Sequence, residues 1–283
     1  AASTIHSLIY EPYESGGMIL FRKLESLSCG VIIIDEASMV STDLYDDLLS
    51  FCKPILFVGD HGQLEPIGSN PMLMKNPEIR LERIHRQAAG NPILRLATAL
   101  REDRDVPNWE SKDGELRICG RGEFAKLAKT EDAQFICGYN RTRHGINREI
   151  RERLGYKKLV EPGERVICLR NNKELGLFNG QQATVLKVKR SSSRSCRLVI
   201  ETEGGDVVDV TCLAEQFGKD AVKDHRDREV CLYDYAYCIT CHKSQGSEYP
   251  YVVVLDEVAP AWEAKRWRYT AATRAKEKLV YCR

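Results

Sequence analysis

The chain has 283 residues, 43% hydrophobic and 29% charged, with a formal net charge of +1. That length allows about two domains and a sizeable core, and no stretch approaches the roughly 20 apolar residues that a membrane-spanning helix needs. The near-neutral balance excludes a global field for polyanions, so any nucleic-acid binding has to be local, and eleven scattered cysteines fit free thiols in a reducing, cytoplasmic setting.

The first ten residues, AASTIHSLIY, have neither the basic start nor the apolar stretch of a signal peptide. Two short strand-like pieces around residues 14–17 predict a hairpin over about 9–24. GVIIIDE (30–36) and KPILFVGD (53–60) read as strands on either side of a helix near 41–51. DAQFICGYN (132–140) is another strand, followed by a basic helix near 141–154 in which Glu149 and Glu152 offset the charge. From 163 to about 231 the texture changes to short strand-like pieces between Asn, Gly and Ser turns, which predicts a small β-barrel inserted in an α/β domain. YPYVVVLDE (249–257) and EKLVYC (277–282) bracket a helix near 263–273. Parallel, buried strands with crossover helices are expected.

Two strand ends carry candidate chemistry. The first ends in Asp35 and Glu36, and the C-terminal edge of a parallel sheet lines the ligand crevice. There one carboxylate can enter a Mg²⁺ shell while its neighbour orients or deprotonates a water; capping the next helix is the plainer use of the same residues. The second ends in VGDHGQLEPIG, which brings Asp60, His61 and Gln63 to a neighbouring edge, though Gly-Asp and Pro-Ile-Gly are also ordinary loop chemistry.

The stretch YCITCHKSQGSE (237–248) contains C-x-x-C-H, a pattern that attaches a c-type haem, and a C-x-x-C pair also serves redox or zinc chemistry. No second cysteine pair stands at zinc-ligand spacing. Thr240, His242, Lys243 and Ser244 offer hydroxyl, imidazole and ammonium donors that suit the phosphates of a single strand.

Taken in series, ASTIHSL, IIIDEASM, GDHGQLEPIG, LERIHRQ, YCITCHKSQGSE and RYTAATRAKEKL resemble the motifs of superfamily-1 DNA helicases of the RecD and Dda-like branch, over nearly the whole chain. In that family the corresponding stretch is usually a strand followed by T-x-H-K-S-Q-G-x-E, so the C-x-x-C-H is incidental. The resemblance implies two RecA-like domains that bind ATP and Mg²⁺ between them and single-stranded DNA, or its junction with duplex, across them. The first, 1–88, is incomplete and carries the hairpin; the second, 89–283, carries an SH3-like insertion at 164–231.

By resemblance Asp35, as Mg²⁺ ligand, Glu36, Gln63, Arg86 and Arg274 are catalytic, the two arginines as fingers to the γ-phosphate; such a finger contributes about 10³ to 10⁵ in rate. Thr270 and Arg274, four apart, are expected to share a helix face. Asp60, Gln245, Gly246 and Glu248 face the nucleotide. Thr4, His6, Phe21, His61, Thr240, His242, Lys243 and Ser244 contact DNA, with Phe21 on the duplex-splitting hairpin as a stacking aromatic or, alternatively, packed beneath it. Lys187, Lys189, Arg190, Arg194 and Arg197 either touch phosphates or form a solvated hairpin tip. The implied polarity is 5′ to 3′, and replication or recombination proteins are possible partners.

No G-x-x-x-x-G-K-[ST] phosphate loop occurs in the sequence. The other motifs are all present, so the expectation is an N-terminally truncated helicase that hydrolyses ATP inefficiently by itself. A non-catalytic DNA-binding or regulatory protein on the same scaffold is the alternative, and a haem or redox protein the more distant one.

Overall fold

The computed structural model describes residues 3–15, 18–66, 71–81, 90–172, 174–220, 230–260 and 262–283. The chain divides into two compact units, Ala1–Arg86 and Gln87–Arg283. Among the described residues no helix is long and apolar enough to cross a membrane.

The first unit begins with α1 (Ile5–Ile9), capped by Thr4, whose hydroxyl accepts the Ser7 amide at 3.3 Å. β1 (Tyr10–Ser15) and β2 (Met18–Lys23) form an antiparallel hairpin with Pro12 opposite Phe21. Its base is tied to α2 (Thr42–Leu49) through Asp47, which accepts from Lys23 Nζ at 2.8 Å and from the Tyr10 hydroxyl. β3 (Ile32–Ile34) and β4 (Ile55–Phe57) pair in parallel around α2.

One face of this strand pair packs on Ile9, Leu48 and Phe51 through Ile32 and Ile34. The other face is open: Val31, Ile33, Leu56 and Val58 are 46–65% exposed. The sequence expectation of strands buried on both sides is therefore corrected here. Period-2 alternation sends every second apolar residue to a face that none of the described elements of this unit covers.

The second unit contains α3 (Pro92–Arg101), β5 (Trp109–Glu110), β6 (Leu116–Cys119), α4 (Glu123–Ala128), β7 (Gln134–Cys137) and α5 (Asn140–Arg153). β8 (Arg165–Cys168), β9 (Gln182–Ser191), β10 (Ser195–Thr202), β11 (Val207–Leu213) and β12 (Tyr233–Tyr235) follow. β13 (Cys238–Thr240), β14 (Tyr249–Leu255), α6 (Ala264–Ala272) and β15 (Ala275–Cys282) complete it. Six strands form one sheet in the order β13-β7-β14-β15-β6-β5, parallel except for the edge strand β5. All four residues of β7 are buried, as strands covered on both faces require.

The other five strands form an antiparallel sheet, β11-β10-β9-β8-β12. It closes on itself, because the Cys231 amide, just before β12, donates to Thr211 O at 2.7 Å and the Leu213 amide donates back to Cys231 O at 3.1 Å. This barrel shares one continuous core with the α/β sheet: Val166, Leu198 and Ile200 belong to the same cluster as Phe135, Val253 and Val280.

Buried polar groups lock the two layers together. Gln182 Nε2 of β9 donates to Gln134 Oε1 at 2.9 Å and to the Tyr249 hydroxyl at 3.1 Å, and Gln134 Nε2 donates to the carbonyls of Ala236 and Tyr237. Arg151 of α5 grips the fully buried Glu164 with Nε and Nη2 and lies 4.2 Å over the Tyr235 ring. Removing the carboxylate takes the counter-charge from a partly buried guanidinium. Glu164→Ala is expected to lower stability by about 3–5 kcal/mol, read from the urea midpoint.

Candidate functional site

In the first unit the two strand tips lie side by side. The Val58 amide donates to Ile34 O at 2.8 Å and the Ala37 amide to Val58 O at 2.9 Å, so the ladder continues past both strands. Gly59 permits this approach, since a Cβ there would stand 3.0 Å from Ala37 N and 3.2 Å from Ser38 N. Asp35 is exposed at the tip, with Oδ1 accepting the Glu36 amide at 2.8 Å. Glu36 itself has φ 51°, a left-handed conformation uncommon for a residue with a side chain. Asp60 Oδ1 accepts the Gly62 amide at 2.8 Å, His61 is half-buried, and the Gln63 amide donates to Asp60 O at 3.2 Å. Asp35, Glu36, Asp60, His61 and Gln63 thus share one edge.

Phe21 is 59% exposed on the hairpin and does not pack beneath it. His6 is exposed, its ring 5.5 Å from that of Tyr10. Thr4 is exposed and spends its hydroxyl on the α1 cap and on Ser7 Oγ at 2.9 Å. Arg86 lies outside the described residues.

In the second unit β13 runs into a single 3-10 turn, Cys241–Ser244. Cys238 is fully buried, with Sγ 3.6 Å from Cys137 Sγ, while Cys241 Sγ points to Trp267 O at 3.6 Å. The two sulfurs thus face different neighbours in the core, and burial pushes both thiols up, which keeps them protonated. Neither is open to a haem edge. Ser244 is also fully buried and donates to Cys241 O at 2.8 Å, so its hydroxyl closes the turn. Thr240, His242 and Lys243 are half-buried and form the outward part of the segment. Burial lowers the pKa of His242; for Lys243 burial comes first and the neighbouring Arg143 charge second. Lys243 Nζ donates to Asn179 Oδ1 of the barrel at 3.4 Å. Beyond the turn, Gln245 is half-buried, Gly246 takes φ 74°, and Glu248 pairs with Lys276 at 3.3 Å.

Arg274 does not share a helical face with Thr270, because α6 ends at Ala272 and Arg274 sits in the turn before β15. Its guanidinium is nevertheless held inward, donating from Nε to Thr270 O (3.1 Å), from Nη1 to Ser247 O (3.0 Å) and from Nη2 to Thr273 Oγ1 (3.1 Å). In the basic β9–β10 hairpin, Lys189 and Arg197 both pair with Asp209, which they hold at a pKa of about 2. Among the described residues no group of three His, Cys, Asp or Glu side chains is placed to hold a metal ion.

Residues 235–282 match the model of a UvrD-like helicase C-terminal domain, and residues 1–119 match an AAA domain. An ATP-dependent RecD2 DNA helicase of Deinococcus radiodurans is 28% identical over 98% of this chain, and a RecD subunit of the RecBCD enzyme from Mycolicibacterium smegmatis is 25% identical over the same share. In sequence the chain is similar to RecD-type DNA helicases over nearly its whole length. It spans 39% and 54% of the lengths of these two curated relatives. Its α/β fold is similar to the RecA-like domains of solved Pif1 structures. Pif1 from Bacteroides bound to single-stranded DNA matches with a TM-score of 0.58 at 17% identity, over 98% of this chain and 78% of that one. A Bacteroides Pif1 complex with ADP-AlF3 and single-stranded DNA gives 0.56 over 90% and 70%.

Two supports of the Cys241–Ser244 turn and its neighbours lie outside the motifs of the sequence. Asn147 of α5 accepts the Cys238 amide at 2.8 Å and donates to Cys238 O at 3.0 Å, clamping the strand that leads into the turn. Glu257 accepts the amides of Gly138 and Tyr139 and the Thr142 hydroxyl, fixing the entry to α5. The acidic pair at the end of the 249–257 strand was a signal for the second.

Arg274→Ala is expected to lower stability by about 3 kcal/mol, the cost of charged hydrogen bonds lost from buried carbonyls, checked by urea titration. His242, with its pKa depressed by burial, takes up its proton in the fold at a lower pH than in the unfolded chain, whose ordinary value lies near 6.5. Stability therefore falls as pH drops through that value. His242→Asn is expected to lose less stability between pH 7 and 5 than the parent chain, measured as the difference in urea midpoint at the two pH values.

Proposed function

We propose that this chain is part of an ATP-dependent DNA helicase motor, in which ATP hydrolysis drives translocation on single-stranded DNA and unwinding at duplex junctions, with 5′ to 3′ polarity. The observation that carries this reading is the shared edge of Asp35, Glu36, Asp60, His61 and Gln63, joined in one sequence with the outward Thr240, His242 and Lys243. An exposed carboxylate at a strand tip fits a hydrated Mg²⁺ ion, which keeps several waters and takes one or two carboxylates. Asp35 is that ligand in this proposal, and Glu36, whose unusual backbone aims it from the same tip, orients water. Bound ATP with Mg²⁺ supplies the phosphoryl group; Asp60, Gln63, Gln245, Gly246 and Glu248 face it, and Arg86 and Arg274 are its cationic partners. Arg274 keeps two of its five N–H groups beyond those that brace it.

Thr4, His6, Phe21 and His61 contact the DNA track from the first unit, and Thr240, His242 and Lys243 from the second, with Ser244 shaping the turn beneath them. The exposed hairpin with Phe21 suits a duplex-splitting element. The closed barrel is the SH3-like insertion, spanning about 164–231 within a RecA-like domain of 89–283.

Residues 1–88 form an incomplete first RecA-like domain. The open apolar face of β3 and β4 supports this, because a parallel sheet of that composition is stable when both faces are covered. The absence of a phosphate loop from the sequence supports it independently. Replication or recombination proteins are its proposed partners in a cytoplasmic setting.

The test is made on the 283-residue chain. It is expected to bind an oligothymidylate with an affinity that falls steeply with salt, and to hydrolyse ATP no faster when that strand is added. Absence of strand binding overturns the motor reading; vigorous DNA-stimulated hydrolysis overturns the incomplete domain.

A further inference from the structure

Three aromatic side chains that come from separate segments meet at the C-terminal edge of the six-stranded sheet. Tyr139 follows the end of β7, His242 the end of β13 and Trp262 the end of β14, and these strands are neighbours in the order β13-β7-β14. The Tyr139 and Trp262 ring centroids are 5.5 Å apart at an interplanar angle of 32°, and the His242 ring meets Trp262 edge-on at 5.2 Å and 67°. Tyr139 is 39% exposed, while Trp262 and His242 are half-buried.

The backbone that carries Tyr139 is tied down. Glu257 takes the Gly138 and Tyr139 amides at 3.2 and 3.1 Å and the Thr142 hydroxyl at 2.8 Å, and is itself held by Arg121 Nη2 at 3.3 Å. A side chain at position 138 is excluded, since its Cβ would stand 1.9 Å from Glu257 O. Tyr139 is thus fixed by its backbone and by its ring neighbour. The His242 imidazole, kept neutral by burial, contributes an edge and no charge. Cations adjoin these residues in sequence: Arg141 is exposed in the first turn of α5, and Lys243 follows His242.

We propose that Tyr139, seated on Trp262, which His242 meets edge-on, is a base-stacking platform for one nucleobase of a single-stranded nucleic acid, with Arg141 and Lys243 beside the adjoining phosphates. This rests on the strand-tracking reading above and adds a base contact to its phosphate contacts. A ring pre-ordered in this way takes any base, because every base offers a π-face, so the platform grips without reading sequence.

The full chain is titrated with a fluorescein-labelled oligothymidylate and with an abasic strand of the same length. The thymidylate is expected to bind about tenfold more tightly. Tyr139→Ala removes about that factor for the thymidylate and leaves the abasic affinity unchanged, whereas Tyr139→Phe retains both. Strand binding quenches tryptophan emission in the parent chain and not in Trp262→Phe, because Trp267 is fully buried and Trp109 lies at the β5 edge of the sheet, opposite β13. Equal affinity for the two strands, or a Tyr139→Ala loss shared equally between them, overturns the platform alone. A chain that binds neither strand overturns the platform together with the strand-tracking reading.

Discussion

The second unit depends on how a three-residue edge strand is held. β13 pairs with β7 on one side only, and an edge strand leaves amide and carbonyl groups that need partners once buried. Asn147 meets that need for Cys238, taking its N–H and giving to its C=O with a single side-chain amide. Its Nδ2 also reaches Tyr235 O, and Gln134 covers the carbonyls of Ala236 and Tyr237. A run from 235 to 238 that leaves the barrel and enters the α/β sheet is thereby fixed by two buried amides. The outward residues of the following turn have a defined position because the strand behind them has one.

The same constraint explains why a cysteine-rich turn is not a metal or haem motif. A helix or loop that presents C-x-x-C to a ligand needs both sulfurs on one accessible side. Here β13 buries Cys238 against Cys137, and the tight turn sends Cys241 towards α6, leaving His242 on the outside. Three residues of identical spacing to a haem site are divided among two core directions and the surface. Backbone geometry decides their chemistry.

Much of the architecture was legible from periodicity. The strand-helix alternation, the hairpin and the change of texture after residue 163 each correspond to elements of the structure, since apolar runs and turn residues report local conformation directly. Side-chain pairing was less visible. α5 buries Arg143, Ile146, Asn147 and Ile150, a stripe at helical spacing in which two members are polar. Arg143 is matched by the buried Asp234 at 2.5 Å and Asn147 by the Cys238 backbone, partners some ninety residues away in sequence. No local pattern announces such a match, so a helix legible in the sequence only as basic carries a buried polar brace. Arg274 was singled out by resemblance, yet its inward bonds to Thr270 and Ser247 come from the turn after a helix that ends at Ala272.

Two acidic pairs show why position in the sheet outweighs motif. IIIDE and VVVLDE are nearly the same words: an apolar strand ending in Asp-Glu. After β14 both carboxylates are committed, Asp256 to Arg268 at 2.9 Å and Glu257 to the Gly138 and Tyr139 amides and Arg121. After β3, Asp35 stands exposed beside a second strand tip, and Glu36 adopts a backbone conformation that side chains rarely take. The difference arises from the neighbours. β14 is central, so its end meets α5 and the cations of α6 and the 120s loop, and its acids become structural ties. β3 has β4 as its described partner and one open apolar face, so Asp35 at its end stays exposed to solvent. The same Asp-Glu pair thus makes long-range ties after a central strand and a local contact at an exposed tip, Asp35 with the Glu36 amide, after β3.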